Sequence, residues 1–471
     1  MNFSLILGSD VNGVISTKYT FDDGTVNDCG TYHYKDRMHV KKITTYSPTG
    51  AKNLIIVGRK TWDTLSTHMK NCESRDYIVM SRNGPYNTTR KMIEYCISKR
   101  NEYYKFFIFG GAEIYKTMMQ ETDLVNEIFL SVIHTENFKF DFGYKHKENI
   151  IFDIQQYLNK FDLKSKNSYN NEGKTEIDFY QYERKFLPFE TQYVDLLYQI
   201  QLHGTIKSSR NGIVMSANGG TMIKVNLEDG IPILTIRKSA PKWTIAEYLW
   251  IVSGSTDVND LQKQNVTIWN KNSTKEFLFQ AGLNHLKEGD IGSSYGFQLR
   301  HSGAEYIDCK TDYTGKGTDQ FTECARLIKE DPDSRRIMIN LWNVEDLKQM
   351  ALPPCAFGYQ FLVSNGKLDV VVYQRSWDVS LGWNYTTGAL FVHNLAHYCD
   401  LQPGILTHMI GNPHTYKVHE NEISQFINNA PYKLPQMKIV GDKPKTPDGY
   451  TKDQFVFEGY KSGPHIKMEM Q

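Results

Sequence analysis

The chain has 471 residues, 40% hydrophobic and 23% charged, with a formal net charge of +1 at pH 7. That length predicts two or three domains with real cores, and the near-zero charge excludes a global basic field drawing the chain to nucleic acid or a membrane surface. Seven scattered cysteines without a CxxC pair argue against a disulfide framework or a zinc site, and fit a reducing compartment, the cytoplasm.

The opening Met1–Gly8 lacks the basic start and long apolar core of a signal peptide and reads as a buried strand. No run approaches the ~20 apolar residues of a membrane span. Short apolar runs follow at Leu5–Leu7, Asn53–Val57, Tyr77–Met80, Phe106–Phe109 and Ile128–Val132, separated by turn and charged segments. They predict a mostly parallel sheet flanked by helices over residues 1–183. Gly110-Gly111 sits between one such strand and a helix start at Ala112. Taken alone it is either a tight turn or a place where backbone N–H groups and a helix N-terminus meet a pyrophosphate. Residues 184–189, around Pro188, read as a short linker.

From residue 190 to 471 the pattern changes. Helices are predicted over Tyr193–Ile200, over 244–254 ending at Ser253-Gly254, and over 384–400, stopped by Pro403-Gly404. The last carries Gly388, Val392, Leu395, Ala396 and Cys399 at helical spacing, a stripe that reads as core. Leu368–Gln374 alternates as a strand running toward Arg375.

The chemistry concentrates around one cysteine. Leu352-Pro353-Pro354-Cys355 follows Arg335-Arg336 and precedes Gln374-Arg375-Ser376-Trp377-Asp378. A lone cysteine is most often a small buried hydrophobe. Among arginines, however, a thiol is expected to have a lowered pKa, and the guanidinium fork suits phosphate. The segment points to a cysteine nucleophile working on a phosphorylated substrate.

These motifs, with Leu341-Trp342-Asn343, His414-Thr415-Tyr416 and the C-terminal Ile466-Lys467-Met468-Glu469-Met470, closely resemble thymidylate synthase over essentially all of residues 190–471. The resemblance implies an α+β domain with a large sheet at a homodimer interface, and reductive methylation of dUMP by 5,10-methylenetetrahydrofolate. Cys355 would be the nucleophile at C6 of the uracil ring and Glu247 the general acid/base. Arg210, Arg375, Ser376 and Asp378 would serve dUMP, while Arg335 and Arg336 would reach the phosphate bound by the other subunit. Asn384 would read the uracil edge, where cytosine-acting relatives carry aspartate, and His414 and Tyr416 would hold the deoxyribose hydroxyl. Trp269, Asp378 and Gly382 would face the folate, and the tail from Ile466 would close over the ligands. The chain departs from the family pattern in places. Ala356 stands where histidine is usual, and Leu381-Gly382-Trp383-Asn384 is two residues shorter than the form with leucine-proline-phenylalanine before the asparagine. Asn270, Asn412 and Val418 replace aspartate, aspartate and asparagine, and Ser293-Ser294-Tyr295-Gly296 lacks the usual proline-valine. These changes fall on the ordered-water network around the base.

Residues 1–183 resemble dihydrofolate reductase, on Asn12-Gly13-Val14-Ile15, Val57-Gly58-Arg59-Lys60-Thr61-Trp62 and Phe109-Gly110-Gly111-Ala112-Glu113-Ile114-Tyr115. The resemblance implies NADPH on Arg59, Lys60, Thr61, Gly110 and Gly111. It also implies folate on Asp36 and Arg75, with Asp36 supporting protonation of the pterin and Ser131 supporting Asp36. The family's leucine-proline-tryptophan loop has no clear counterpart in Asn27–Tyr34, and Arg37 replaces an apolar residue.

Together the two resemblances imply a member of the bifunctional dihydrofolate reductase–thymidylate synthase family, with no metal, no membrane and no obligatory nucleic acid expected. Three rivals follow from the same residues: a pyrimidine nucleotide hydroxymethylase, an active synthase carrying a degenerate structural reductase, and a catalytically quiet nucleotide- or RNA-binding protein.

Overall fold

A computed structural model describes residues 3–20, 23, 26–30, 33–134, 146–171, 174–209 and 211–469. The chain divides into two compact units, Met1–Thr191 with Asn428–Tyr432, and Gln192–Ile427 with Lys433–Gln471.

The first unit is built on a seven-stranded sheet in the order Arg75–Met80, Asn53–Gly58, Phe106–Ile108, Phe3–Asp10, Val125–Ile133, Lys174–Arg184, Phe161–Asn171. The first five strands run parallel and the last two pair antiparallel. The runs are apolar throughout because both faces are covered. Phe3, Leu5, Leu7, Leu54, Ile56 and Ile108 face one cluster, shared with Met92 and Met118 from the helices Thr89–Ser98 and Ala112–Glu121. Ile6, Ile55 and Phe107 face the other way, against Val40 of the helix Tyr34–Thr45. Each such side chain contributes roughly 1.5–3 kcal/mol by leaving water. The segment Val26–Gly30, to which the sequence assigned no element, is a strand pairing antiparallel with Val14–Thr20, which also pairs with His146–Ile151. Thr31 and Tyr32 lie outside the described residues.

The second unit is α+β. Its main sheet runs Thr221–Asn226, Gln402–Ile410, Lys367–Gln374, Ala356–Ser364, Met338–Asn340. Alternation divides it cleanly: Ile223, Val225, Leu406, Val370, Val372, Tyr359, Phe361 and Ile339 are buried. The helix Asn384–Tyr398 packs on that face, close enough that a Cβ on Gly388 would lie 2.8 Å from Val372 Cγ2. The predicted one-sided stripe is corrected here, since every residue from Tyr385 to Ala396 is buried. The opposite face stays open, with Met222 51%, Met409 43%, Met338 43% and Leu362 45% exposed. A second sheet joins the hairpin Thr205–Ser209/Gly212–Ser216 to Pro413–Tyr416 and then to Trp377–Asp378. No helix among the described residues is long and apolar enough to cross a membrane.

Candidate active site

In the second unit, the end of the strand Lys367–Gln374 delivers Arg375 beside the start of the strand Ala356–Ser364, and so beside Cys355. Arg375 donates to the carbonyls of Pro354 (3.0 Å) and Pro353 (2.8 Å), and its Nη2 lies 3.9 Å from Cys355 Sγ. The Arg375 backbone N–H donates to the Cys355 carbonyl at 2.9 Å. The Cys355 N–H in turn donates to the Tyr295 hydroxyl at 2.8 Å. One expectation needs correction. Burial pushes the Cys355 thiol above its ordinary value, and the Arg375 charge and the Tyr295 contact only partly oppose it.

Glu247 lies on the apolar helix Pro241–Val252, where a carboxylate is costly unless used or paired. Two indoles hold it: Trp269 Nε1 donates to Oε1 and Trp383 Nε1 to Oε2, each at 2.8 Å. Burial raises its pKa, against the lowering effect of Trp383 and then Trp269. The Trp269 ring meets the Tyr295 ring edge-on at 5.6 Å.

Trp383 caps the helix whose first residue is Asn384. The amide of Gln374 donates to the Ser376 carbonyl at 2.8 Å and to Asn384 Oδ1 at 3.2 Å. Gln374 Oε1 lies 2.6 Å from His408 Nε2. The Ser376 carbonyl only accepts, so the Gln374 NH2 must face it, and His408 must donate through Nε2. Burial pushes the fully buried His408 down to about 3, so the ring is neutral. A closed circuit of contacts thus runs Cys355–Tyr295–Trp269–Glu247–Trp383, passes through the peptide bond to Asn384, and returns through Gln374 and Arg375 to Cys355.

Asp378 adjoins this circuit and pairs with His414 across the second sheet. Burial raises its pKa, opposed by hydrogen bonds from Ser380 and by the charges of His414 and His419. A Cβ on Gly382 would lie 2.7 Å from Trp377 Cδ1 and 3.1 Å from the Asp378 carbonyl, so only glycine fits that turn. His414 and Tyr416 sit in register with Ser216 and Val214 of the hairpin Thr205–Ser209/Gly212–Ser216. Arg210 itself lies outside the described residues. The tail is seated: Lys238 N–H donates to the Pro464 carbonyl at 3.0 Å, His419 Nε2 contacts the Glu469 carbonyl at 2.9 Å, and Ile466 is buried. Met470 lies outside the described residues. Arg335 and Arg336 are exposed just before the edge strand Met338–Asn340, and among the described residues no side-chain bond joins them to Cys355.

In the first unit, Gly8 lies beside Ser131 in the sheet, and a Cβ on Gly8 would come 3.3 Å from Asp36 Oδ2. Burial raises the Asp36 pKa, against a Ser131 hydrogen bond and the nearby His33. Its Oδ1 is buried and unpartnered, as a carboxylate awaiting a donor such as a pterin would be. His33 caps the helix start through Nδ1, accepting from Lys35 N–H at 3.1 Å, and contacts Glu176 through Nε2 at 3.1 Å. Arg37 is exposed. Gly58 N–H donates to the Gly110 carbonyl at 2.8 Å, and a Cβ on Gly111 would come 3.3 Å from Thr61 Oγ1. Those contacts bring Arg59, Lys60 and Thr61 to Gly110 and Gly111, where the helices Arg59–Thr64 and Ala112–Glu121 both begin. The backbone donors at those two helix starts, with Arg59 and Lys60 in the first turn of one of them, suit a phosphate-bearing cofactor. Arg75 is 4% exposed; it donates to Thr44 Oγ1 at 2.8 Å and keeps a buried, unpartnered Nε.

Sequence reading missed Tyr295, Gln374, His408 and Trp383 in one site, and Gly8 and His33 in the other. Gln374, Tyr295 and Trp383 stood inside the stretches named above but carried no assigned role, Gln374 being readable as the residue preceding Arg375. The others come together only through the fold.

A thymidylate synthase family model matches residues 191–471, and a dihydrofolate reductase family model matches residues 24–184. The chain is 34% identical to a protein of Acanthamoeba polyphaga mimivirus named bifunctional dihydrofolate reductase-thymidylate synthase, covering 99% of each chain. It is 35% identical to a protein of the same name from Paramecium tetraurelia, over 99% of this chain and 98% of that one. A bifunctional dihydrofolate reductase-thymidylate synthase 1 from Arabidopsis thaliana is 32% identical over 93% of this chain and 91% of its own.

Proposed function

The chain belongs to the bifunctional dihydrofolate reductase–thymidylate synthase family, and we propose that the two sites described above carry its two reactions. The synthase half transfers the methylene of 5,10-methylenetetrahydrofolate to dUMP and reduces it, giving dTMP and dihydrofolate. The reductase half returns dihydrofolate to tetrahydrofolate. These relatives favour neither the hydroxymethylase nor the degenerate-reductase reading.

In the synthase, Cys355 Sγ adds to C6 of the uracil ring, which makes C5 nucleophilic toward the methylene carbon. Asn384 offers donor and acceptor to the O4 and N3 edge, held by Gln374. Arg375, Ser376 and Arg210 take the phosphate, with Asp378 beside them, and His414 and Tyr416 take the sugar hydroxyl. Trp269, Asp378 and Gly382 face the folate, and Glu247 moves protons at the pyrimidine. The circuit of contacts joining Cys355, Glu247 and Asn384 is the observation that carries this reading.

In the reductase, Asp36 binds the pterin and favours its protonation, helped by Ser131, and the buried Arg75 takes the folate carboxylate. Arg59, Lys60, Thr61, Gly110 and Gly111 hold NADPH, which supplies the hydride when bound.

The synthase half acts as a homodimer through its open sheet face. Register aligns Met222, Met409 and Tyr373 in one row, and Lys224, Thr407, Val371, Gln360 and Met338 in the next. Such a flat, partly apolar face suits a self-complementary partner. Arg335 and Arg336 are exposed just before Met338–Asn340, the edge strand of that sheet, which suits arginines serving the partner's phosphate. We place the enzyme in the cytoplasm, where its free thiols stay reduced, without a nucleic-acid partner.

The test is the Cys355→Ser variant of the whole chain. It should form no dTMP from dUMP and 5,10-methylenetetrahydrofolate while consuming NADPH with dihydrofolate at the wild-type rate. Hydroxymethyl-dUMP as the wild-type product refutes the reading.

A further inference from the structure

The turn before Asn384, Leu381-Gly382-Trp383, ends in a tryptophan. An indole carries one N–H, and that of Trp383 goes to Glu247 Oε2 at 2.8 Å, opposite the Trp269 donor on Oε1. The turn that presents it is rigid. Gly382 N–H donates to the Asp378 carbonyl at 2.8 Å, Trp377 Nε1 donates to the Gly382 carbonyl at 3.1 Å, and Trp377 is buried.

We propose that Trp383 is a positioning residue for Glu247, fixing the plane of its carboxylate together with Trp269 and tying it to the base-reading Asn384 one residue along. An indole only donates, so both oxygens of Glu247 must accept, and each keeps one lone pair for a proton. With a single donor the carboxylate is free to turn about its terminal bond; with donors from two separate segments it is not. The titratable groups around it are Tyr359 and Tyr295, both buried phenols held neutral by burial, and Cys355 beyond Tyr295. Neither phenol competes for the proton in the working pH range, and comparison with the Glu247→Gln background separates the Glu247 titration from that of Cys355 in the acid limb.

This inference rests on the synthase reading above. Its test is the pH profile of kcat for dTMP formation in Trp383→Phe and in Trp383→benzothienylalanine, which keeps the ring's shape and removes only the N–H. Losing a donor to a charged group should lower kcat about tenfold and move the acid limb upward by about one pH unit. In a Glu247→Gln background the same change should alter the residual rate less than about twofold. Binding of dUMP, read through the adjoining Asn384, reports that each variant is folded. An unmoved acid limb in the benzothienylalanine variant, or an equal fall in both backgrounds, overturns the proposal. A wild-type chain that forms no dTMP would instead overturn the synthase reading itself.

Discussion

Gly382→Ala tests how tightly the turn before Asn384 is built. The added methyl would lie 2.7 Å from Trp377 Cδ1 and 2.8 Å from its Nε1, so one partner must yield by about 0.7 Å to reach an ordinary contact at 3.4 Å. Trp377 has nowhere to go: its ring packs against Tyr193 at 6.1 Å, Tyr385 at 5.7 Å and His408 at 5.4 Å. The turn must move instead, which carries Trp383 Nε1 from 2.8 Å to about 3.5 Å from Glu247, past the range of a good hydrogen bond. Asn384 is displaced with it. Overpacking of this kind costs about 1–3 kcal/mol of stability. A catalytic group misplaced by about 1 Å costs about 100-fold in rate. We expect kcat/KM for dTMP formation to fall by about two orders of magnitude, measured as dihydrofolate appearance, with dihydrofolate reduction by NADPH unchanged. A variant within about twofold of wild type would show that the turn yields without cost, and would refute the steric argument.

Asp36→Asn should lower dihydrofolate reduction by about 10²–10⁴-fold, the range for a lost acid–base group. The same change should stabilise the first unit at neutral pH. The Asp36 pKa is raised in the fold, so ionising it costs stability as pH rises from its ordinary value of 3.8 through the raised one; hydrogen exchange of the strand Phe3–Asp10 at pH 7 checks this. His408→Phe leaves Gln374 Oε1 unpaired in a buried site, a cost of about 1–3 kcal/mol, and frees the amide to turn. Competition assays should then show the preference for dUMP over dCMP falling by about tenfold. Met409→Glu with Met222→Glu puts two carboxylates opposite each other in the open sheet face; sedimentation should show monomers, with dTMP formation lost and NADPH consumption kept.

The framework was readable because burial writes itself into composition. All five apolar runs of residues 1–183 are strands, and the segments 193–200, 244–254 and 384–400 are helical over most of their length. The strand Val26–Gly30 was not readable, since Val26-Asn27-Asp28-Cys29-Gly30 has no apolar alternation and is ordered by pairing with Val14–Thr20. In the sites, residues inside motifs were legible one at a time. Their supports were not. Nothing in the sequence near Glu247 indicates that Trp383, 136 positions away, donates to it, or that His408 reaches Gln374 across 34 positions. Periodicity reports which face is buried; it carries no information on which buried polar group pairs with which.

The Cys355 thiol is where sequence and structure pull apart most usefully. Proximity in sequence to three arginines suggested a thiol with a lowered pKa. Of those three, Arg375 is the one with a contact to the sulfur among the described residues, at 3.9 Å, and two of its donors are committed to the carbonyls of Pro353 and Pro354. Burial therefore prevails and the pKa rises. A site that must generate a thiolate then needs positive charge from elsewhere, and the chain carries two exposed arginines, Arg335 and Arg336, at the edge of its open sheet face. In the proposed dimer that face brings each pair to the other subunit's phosphate, and so toward its thiol. Guanidinium groups brought near this half-buried thiol would lower its pKa by the same Coulomb effect as Arg375. Cys355 should accordingly alkylate with iodoacetamide more slowly in the Met222→Glu, Met409→Glu monomer than in the dimer, even though the monomer leaves the site more accessible. Faster alkylation in the monomer would mean that access, rather than the partner's charge, governs this thiol.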